Sequence, residues 1–564
     1  MKSLLLQKLV LYPTTKTLFK SSLSLAIALL TVGVNLIPTI FTRPALSAER
    51  INISYGILQR SIPIKSLELY AQTGKIDEDL AAYARYVDKK ELAQLRKILV
   101  TPIPLGAVEV SQFLYTGIGE TLLKRLGEVI QLESGQNGFY AIRSALIISA
   151  AQKQGFTLLD VLRNYSSDAV SINLARTQQI AQTIQVLINQ TQNAVSFINQ
   201  ESRLEASTTA IPAATSPQAT RYRTQKLNLP LNDVSRNRTI NTDIYLPITS
   251  SRRPIIVISH GLGSDRASFA YLAQYLARSG FVVAVPEHPG SNAQQLQALL
   301  SGRADTVTNP IEFIDRPLDI KFLLDELTRL QDSNPTLRGR LNLQQVGVVG
   351  QSFGGYTALA LAGAKINFKQ LGKDCSALES SLNVSQLLQC LALRLPRPGY
   401  NLSDPRVKAV IAINPVNSSI FGQTGLSEIN IPVMIVAGSA DTVTPALPEQ
   451  IKPFTWLTTP NKYLALINGG THFSTIAESP NDVLPIPQET VGANPERARN
   501  YINALSFPFF QTYVAGQPSY IRYLNAAYAN TISQPDLPLS LVRTVTPNQL
   551  QQALNGSPIS SNLR

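Results

Sequence analysis

Hydrophobic positions recur with a helical period through the first third of the chain. Apolar residues three or four positions apart, such as Leu92 and Leu95, predict helices between residues 51 and 177. The pattern continues over residues 174–204, where an apolar stripe lies opposite a Gln- and Asn-rich face and predicts one long amphipathic helix. We therefore expect an all-helical N-terminal domain over residues 49–205.

A different pattern follows a connector at residues 206–220, which is rich in Ser, Thr, Ala and Pro and predicts an exposed linker. Beyond it, short β-branched runs alternate with helical ones, as in a parallel sheet flanked by helices. The predicted buried strands are residues 254–259, 281–286, 346–349, 409–413, 433–437 and 463–467. The sequence thus predicts an α/β domain over residues 221–564, with a lid-like insertion at residues 365–404.

The first 48 residues have the composition of an export segment. Lysines precede an apolar stretch at residues 23–41, and residues 45–48 (ALSA) supply small side chains for cleavage. The apolar stretch approaches the roughly 20 residues that span a bilayer, so an uncleaved membrane anchor is the alternative. Both interpretations place the bulk of the chain outside the cytoplasm, in the periplasm or secreted.

Charge and composition exclude several function classes. The 564 residues carry 50 Lys and Arg against 37 Asp and Glu, but residues 49–564 contain no dense basic run, which argues against nucleic-acid binding. The excess of positive charge favours a solvated basic surface with mild attraction to anionic membranes, that is, a peripheral contact. No metal-ligand cluster, phosphate loop or dinucleotide fingerprint occurs, so no metal and no cofactor is implied. Composition does not give the oligomeric state.

Both cysteines of the chain, Cys375 and Cys390, lie within the insertion. In an exported protein this pair is a candidate disulfide. Two buried free thiols are the alternative, and neither cysteine is a candidate nucleophile.

A serine lies between two glycines at residues 350–354 (GQSFG), which fits the pattern G-x-S-x-G. An apolar strand precedes the motif and helix-forming residues follow it, so a sharp strand-to-helix turn is predicted to expose the Ser352 hydroxyl. The glycines relieve the crowding that such a turn creates. Ser352 is therefore the candidate nucleophile, and a glycine-rich packing turn is the alternative interpretation.

A serine nucleophile needs a base, and only three histidines are available. His472 follows the last predicted strand, where a loop at the carboxyl edge of the sheet can carry it to Ser352. Asp441, in the loop after the preceding strand, satisfies the chain order Ser, acid, His that this architecture favours. Asn414 lies at the other place for an acid, but an amide cannot balance the charge of an imidazolium.

The first buried strand leads into the segment SHGLG at residues 259–263. The backbone N–H groups of Leu262 and Phe353 are predicted to form an oxyanion hole for an acyl-transfer reaction. His260 is expected to orient this loop, and His288 to form a hydrogen bond beside the pocket.

The segments SHGLG, SGFVVAVPEHPGS and GQSFGG resemble the platelet-activating factor acetylhydrolase branch of the α/β-hydrolases, over residues 253–475. The resemblance implies an α/β-hydrolase fold, a Ser-Asp-His triad with Ser352 and His472, and oxyanion donors at Leu262 and Phe353. Members close to the animal lipoprotein-associated enzymes place the acid where this chain has Asn414, so Asp441 must serve instead. Residues 49–177 are similar to an uncharacterised helical domain that precedes hydrolases in exported, especially cyanobacterial-type, proteins.

The resemblance implies a serine carboxylic ester hydrolase that acts through an acyl-enzyme, on lipid or phospholipid acyl esters. Two alternatives stay open. A serine peptidase is one, because residues 354–356 also resemble the prolyl oligopeptidase pattern, although a helical first domain without propeller repeats argues against it. A non-catalytic binding protein on a hydrolase fold is the other. Covalent labelling of Ser352 separates binding from catalysis.

Overall fold

The computed structural model describes residues 47–55, 58–152, 155–209, 222–396, 399–484 and 487–556. The predicted export segment up to residue 46 and the predicted linker from residue 210 lie outside the described residues. The described residues form two compact units, one up to Ile188 with Gln297–Val307 and the other over Asn189–Leu296 with the described residues from Thr308 onward. No helix in the described ranges is long and apolar enough to cross a membrane.

The first unit combines helices with a small sheet. Its strands β1 to β4 are Arg50–Tyr55, Leu58–Pro63, Ile130–Gln131 and Ala169–Asn173, and its helices α1 to α7 are Ile64–Thr73, Glu78–Ala84, Lys89–Val100, Ala107–Leu114, Gly117–Val129, Phe139–Ala150 and Leu158–Arg163. Within the described residues the strands form a four-stranded sheet in the order β2-β1-β4-β3. Helix α8, Leu174–Thr208, confirms the predicted long helix.

The prediction of an all-helical N-terminal domain is wrong. Strand β1 pairs in parallel with β4, so that Ile51 lies beside Val170, and both side chains are buried. Such a pairing joins segments far apart in the sequence. The strands are also short, and the helical period of the intervening residues outweighs their local pattern.

Helix α8 contributes to both units, because the first ends at Ile188 and the second begins at Asn189. The reason is burial: Phe197 and Ile198 belong to the hydrophobic core of the second unit. The boundary therefore lies within a helix, and the predicted linker begins while that helix still continues.

The second unit is built on a nine-stranded sheet, counted over the described residues. Its strands β5 to β13 are Thr224–Asp233, Arg238–Pro247, Arg253–Ser259, Val282–Pro286, Leu341–Gln351, Val407–Ile413, Val433–Gly438, Lys462–Ile467 and Leu539–Val542. The strand order is β13-β12-β11-β10-β9-β7-β8-β6-β5. Strands β7 to β12 pair in parallel, and β5, β6 and β13 are antiparallel additions at the two edges.

Helices cover this sheet. Helices α9 to α20 are Ala270–Arg278, Ala293–Leu300, Glu312–Ser333, Phe353–Leu361, Phe368–Cys375, Ser385–Gln389, Ser418–Leu426, Lys452–Trp456, Gln488–Val491, Pro495–Tyr513, Ala526–Ile532 and Pro547–Leu554. Short helical turns occur at Val234–Arg236, Arg266–Phe269, Leu378–Ser380, Cys390–Arg394, Leu447–Ile451 and Pro518–Tyr523. The six predicted strands are present, and the predicted α/β-hydrolase fold class is confirmed.

Helix α11 begins at Glu312 and contains a proline, Pro317, in its second turn. A proline inside a helix cannot donate to the carbonyl four residues earlier, which here belongs to Phe313. The Tyr356 hydroxyl donates to that carbonyl instead, at 2.8 Å. A partner from α12 thus compensates for the interruption.

Candidate active site

The carboxyl ends of strands β7 to β12 meet at one edge of the sheet, because parallel strands all point the same way. Every predicted site residue of the second unit follows one of these ends or lies in the loop beyond it. The residues are His260 and Leu262 after β7, His288 after β8, Ser352 and Phe353 after β9, Asn414 after β10, Asp441 after β11 and His472 after β12. The topology therefore gathers residues that are far apart in the sequence.

Ser352 occupies a strained turn between β9 and α12. Its φ is 56° and its ψ is −115°, a conformation that a side chain disfavours. The surroundings hold the turn in place: the Ser352 N–H donates to the carbonyl of Ile413 at 2.9 Å, and the N–H of Val416 donates to the Ser352 carbonyl at 3.2 Å. Because neighbouring β10 and the loop after it supply these bonds, the backbone beside Ser352 fixes the strained residue that carries the hydroxyl.

The two glycines of the motif are required by close backbone contacts. A Cβ on Gly350 would lie 1.9 Å from the Gly354 carbonyl oxygen, and a Cβ on Gly354 would lie 2.0 Å from the carbonyl oxygen of Ser259. Real Cβ atoms do not approach backbone so closely. The G-x-S-x-G spacing thus follows from packing the start of α12 against β7 and β9.

Replacing Gly354 with alanine is expected to destabilise the protein by about 3 kcal/mol, because the backbone atoms of Ser259 and His260 cannot move away from the added methyl group. Gly372 is a matched control, because it also lies in a helix but an added Cβ there meets nothing within 4 Å. Gly372→Ala is expected to be neutral or stabilising by about 0.5–1 kcal/mol. Chemical denaturation of both variants measures the difference, and equal stabilities would contradict the packing argument.

His472 and Asp441 are in direct contact. The Asp441 Oδ2 atom lies 2.8 Å from His472 Nδ1, and both side chains are buried. Three further donors hold the carboxylate: the N–H groups of Val443 and Thr444, both to Oδ1, and the Thr444 hydroxyl to Oδ2. With Nδ1–H donating to the carboxylate, Nε2 carries the lone pair that a general base requires.

Gln351 connects the loop of His472 to the residue before the candidate nucleophile. Its side-chain amide donates to the His472 carbonyl at 3.2 Å. Its Oε1 atom also packs against Gly261, where an added Cβ would lie only 2.4 Å from it. Gln351 was not among the predicted site residues, because nothing in the linear pattern distinguishes it from any other residue before the serine.

Asn414 contacts backbone. Its amide donates to the Thr471 carbonyl at 3.2 Å and its Oδ1 accepts from the Gly438 N–H at 2.9 Å. The residue has a positive φ of 42°, which asparagine tolerates better than most residues. Asn414 thus ties together the loops that carry Asp441 and His472.

The loop after β7 lies against Ser352. A Cβ on Gly261 would come within 3.5 Å of the Ser352 Cβ. The Gly263 N–H donates to the carbonyl of Ser291 at 2.9 Å, and the Gly261 carbonyl accepts from His260. Phe353 is the first residue of α12, so its N–H has no acceptor within the helix. Gly261, the neighbour of Leu262 in the chain, thus lies beside Ser352, and Phe353 follows Ser352 directly.

His260 and His288 are fully buried. His260 Nε2 accepts from the His288 N–H at 3.0 Å, so its proton is on Nδ1, which bonds to the Gly261 carbonyl. His288 bonds through Nδ1 to Asp319 at 3.0 Å and through Nε2 to the Ser259 hydroxyl at 2.9 Å. Burial, and then the charge of Arg316, hold the pKa of both imidazoles well below the usual value. Both are neutral, and their ring nitrogens are already engaged.

A buried ionic network supports these histidines and was not predicted. Arg238 donates to both Glu312 and Asp319, and Arg236 donates to Asp315 and Asp319. Arg316 lies fully buried beside them. The signal in the sequence is the run EFIDRPLD at the start of α11, where acidic residues and an arginine alternate with apolar residues. Glu312, Arg316 and Asp319 of this run are buried.

The insertion at residues 365–404 contains a disulfide between Cys375 and Cys390. The insertion also contains the short helix α14, Ser385–Gln389, which continues directly into the helical turn Cys390–Arg394. The buried carboxylate of Glu449 accepts hydrogen bonds from Ser385 and Gln389 of the insertion and from the Ser418 N–H that begins α15. This carboxylate fastens the insertion to the domain.

Among the described residues there is no group of three or more His, Cys, Asp or Glu side chains that could hold a metal ion. The polar side chains of the site instead bond to one another and to backbone.

Comparison with known proteins gives two family matches. The model of a family described as "alpha/beta hydrolase of unknown function" matches residues 47–173, and that of "platelet-activating factor acetylhydrolase, isoform II" matches residues 223–315. The second match contains Leu262 and His288 and ends before Ser352. Together the two matches confirm the resemblance inferred from the sequence.

Three relatives are similar at low identity. A platelet-activating factor acetylhydrolase of Cavia porcellus is 27% identical over 139 residues, which cover 20% of this chain and 32% of the relative. Cutinase 2 of Thermobifida cellulosilytica is 23% identical over 257 residues, covering 44% of this chain and 68% of the relative. Cutinase cut1 of Thermobifida fusca has the same identity, with 44% and 56% covered. The chain thus spans about a third of the acetylhydrolase.

Proposed function

We propose that this chain, an α/β-hydrolase similar to the platelet-activating factor acetylhydrolases, hydrolyses carboxylic esters through an acyl-enzyme on Ser352. The contact of Asp441 with His472 carries the proposal, because it lies at the same sheet edge as the strained turn of Ser352. The names of the relatives support the reaction class, since acetylhydrolases and cutinases act on esters.

In the proposed first half-reaction, the Ser352 oxygen attacks the ester carbonyl carbon while His472 Nε2 takes the hydroxyl proton. The carbonyl oxygen becomes an oxyanion, which the N–H groups of Leu262 and Phe353 stabilise. The tetrahedral intermediate then collapses: the bond to the alcohol oxygen breaks, and His472 gives its proton to that oxygen. Ser352 is left acylated.

In the second half-reaction, water replaces the alcohol. His472 takes a proton from the water as its oxygen attacks the acyl carbon, and the same two N–H groups stabilise the second oxyanion. Collapse returns the proton to Ser352 and releases the carboxylic acid. Asp441 stays ionised throughout, because it holds the His472 tautomer and offsets the charge of the imidazolium.

We propose lipid or phospholipid acyl esters as the substrate class, because the match to the acetylhydrolase family model covers the loop after β7, which carries Leu262. The composition of residues 1–48 supports export to the periplasm or beyond, with cleavage or with retention as an anchor. In that compartment the chain would meet membrane lipids, in keeping with the proposed peripheral membrane contact.

Covalent labelling and pre-steady-state kinetics test the proposal on the full chain. A fluorophosphonate is expected to modify one residue, and mass spectrometry of the labelled peptide is expected to identify Ser352. Hydrolysis of p-nitrophenyl esters is expected to start with a burst of one nitrophenolate per labelled site. Rates across acyl chains of increasing length then separate short-acyl from lipase-like specificity. Folded protein with neither label nor burst would instead support a binding role.

A further inference from the structure

We propose that the buried guanidinium of Arg316 positions both halves of the oxyanion hole, which makes it a positioning residue of the reaction. The inference rests on the proposed function, because it concerns the N–H groups of Leu262 and Phe353. Nothing in the sequence pattern or in the family matches assigns a role to this residue.

The first half of the argument concerns the loop after β7. Arg316 Nη2 donates to the His260 carbonyl, and Nη1 donates to the Ser291 hydroxyl at 3.2 Å. His260 precedes the loop glycine, and the Ser291 carbonyl accepts from the Gly263 N–H at 2.9 Å. The guanidinium therefore holds the start of the loop directly and its end through Ser291. Leu262 lies between these two points.

The second half concerns the start of α12. The central carbon of the guanidinium lies 4.6 Å from the centroid of the Phe353 ring, within the range of a cation–π contact. The Phe353 ring also packs edge-on against Phe313, at a centroid distance of 4.8 Å. Because the Phe353 backbone supplies the other proposed oxyanion donor, one side chain contacts the supports of both donors.

The electrostatic state of Arg316 fits this role. Burial lowers its pKa to about 10, so the group is still protonated at neutral pH. Its Nε–H has no hydrogen-bond partner among the described residues. A cation kept in the core with one donor unsatisfied costs free energy, and such groups recur where geometry serves function. Because His260 and His288 are neutral, the positive charge that contacts the His260 carbonyl is that of Arg316.

A purely structural role makes a different prediction, because a network that only stabilises the fold would change the amount of folded enzyme and not its turnover. Arg316→Met removes the charge at similar side-chain volume. Arg316→Lys retains the charge but lacks the planar set of N–H donors that lets a guanidinium contact two acceptors at once. Arg236→Met is the matched control, since Arg236 donates to Asp315 and Asp319 of the same network and not to the loop after β7.

The experiment measures kcat per fluorophosphonate-labelled site, so that misfolded protein is not counted. For Arg316→Met we expect kcat per site to fall about 100-fold with KM changed less than about 3-fold, as when an oxyanion donor is displaced. Inhibition by a trifluoromethyl ketone, whose adduct carries an oxyanion, should weaken by a similar factor. Arg316→Lys should recover part of both losses, and Arg236→Met should retain kcat per site.

Three outcomes overturn the inference. If the wild type shows burst and label while Arg316→Met and Arg316→Lys keep wild-type kcat per site and ketone affinity, Arg316 is structural only and the proposed function stands. If Arg236→Met loses as much kcat per site as Arg316→Met, the effect belongs to the network as a whole. A wild-type chain without burst or label overturns the proposed function, and this inference with it.

Discussion

Ser352→Ala is expected to reduce kcat for ester hydrolysis by about 10⁶-fold, because no other group can form the acyl-enzyme. His472→Ala should cost a similar factor, since an unactivated hydroxyl is a poor nucleophile. The double variant should be no slower than either single one, because the two residues act in one step. This non-additivity is the signature of a nucleophile and its base.

The measurement is the steady-state rate on p-nitrophenyl acetate, with thermal unfolding as a check on the fold. Ser333→Ala is the matched control, because Ser333 is an exposed serine at the end of α11 and should leave the rate unchanged. Residual activity of Ser352→Ala within tenfold of the wild type would show that the chemistry lies elsewhere. A double variant slower by the product of both losses would argue against a shared step.

Asp441→Asn is expected to lower kcat by about 10⁴-fold while preserving the fold. The N–H groups of Val443 and Thr444 bond to Oδ1, so an asparagine would keep its oxygen there. Its amide nitrogen would then face His472 Nδ1 and donate to it. That contact favours the tautomer with the proton on Nε2, which cannot act as a base. In a measurement of kcat/KM against pH, the remaining activity of Asp441→Asn should rise with the hydroxide concentration.

Asn414→Asp is expected not to rescue Asp441→Asn, although position 414 is where the resemblance would place the acid. The Asn414 amide donates to the Thr471 carbonyl, and a carboxylate there would oppose that oxygen. The single variant Asn414→Asp should itself lose activity, because it loosens the loop of His472. Comparing the single and double variants on one ester checks this, and recovery in the double variant would assign the acid to position 414.

The proposed catalytic residues could be chosen from the sequence because the patterns that indicate them are mostly local. Ser352 needs glycines on each side and a strand before it, and all of these are adjacent in the sequence. His472 could be chosen because the chain has only three histidines. The order of strands then left Asp441 as the acid, and the structure places its carboxylate beside the imidazole.

The supports of the site could not be predicted, because they depend on pairings across the sheet. Gln351 reaches the His472 backbone only because β9 and the loop after β12 converge at one edge. Arg316 reaches the loop after β7 only because α11 packs under it, and Glu449 joins the insertion to α15 in the same way. Charged residues in a helix are usually solvated, so the sequence pattern by itself favours an exposed position for Arg316 and Glu449.

The sequence by itself determined the α/β-hydrolase class, the six parallel strands and the residues at their carboxyl ends, since buried strands and turn glycines have local signatures. Only the tertiary structure decided the small sheet of the first unit, the domain boundary within α8 and the engagement of His260 and His288. These features depend on contacts between distant segments, as when Ile51 pairs with Val170. Local periodicity carries no information about which segments meet, and burial in the folded state settles which polar groups are free to act.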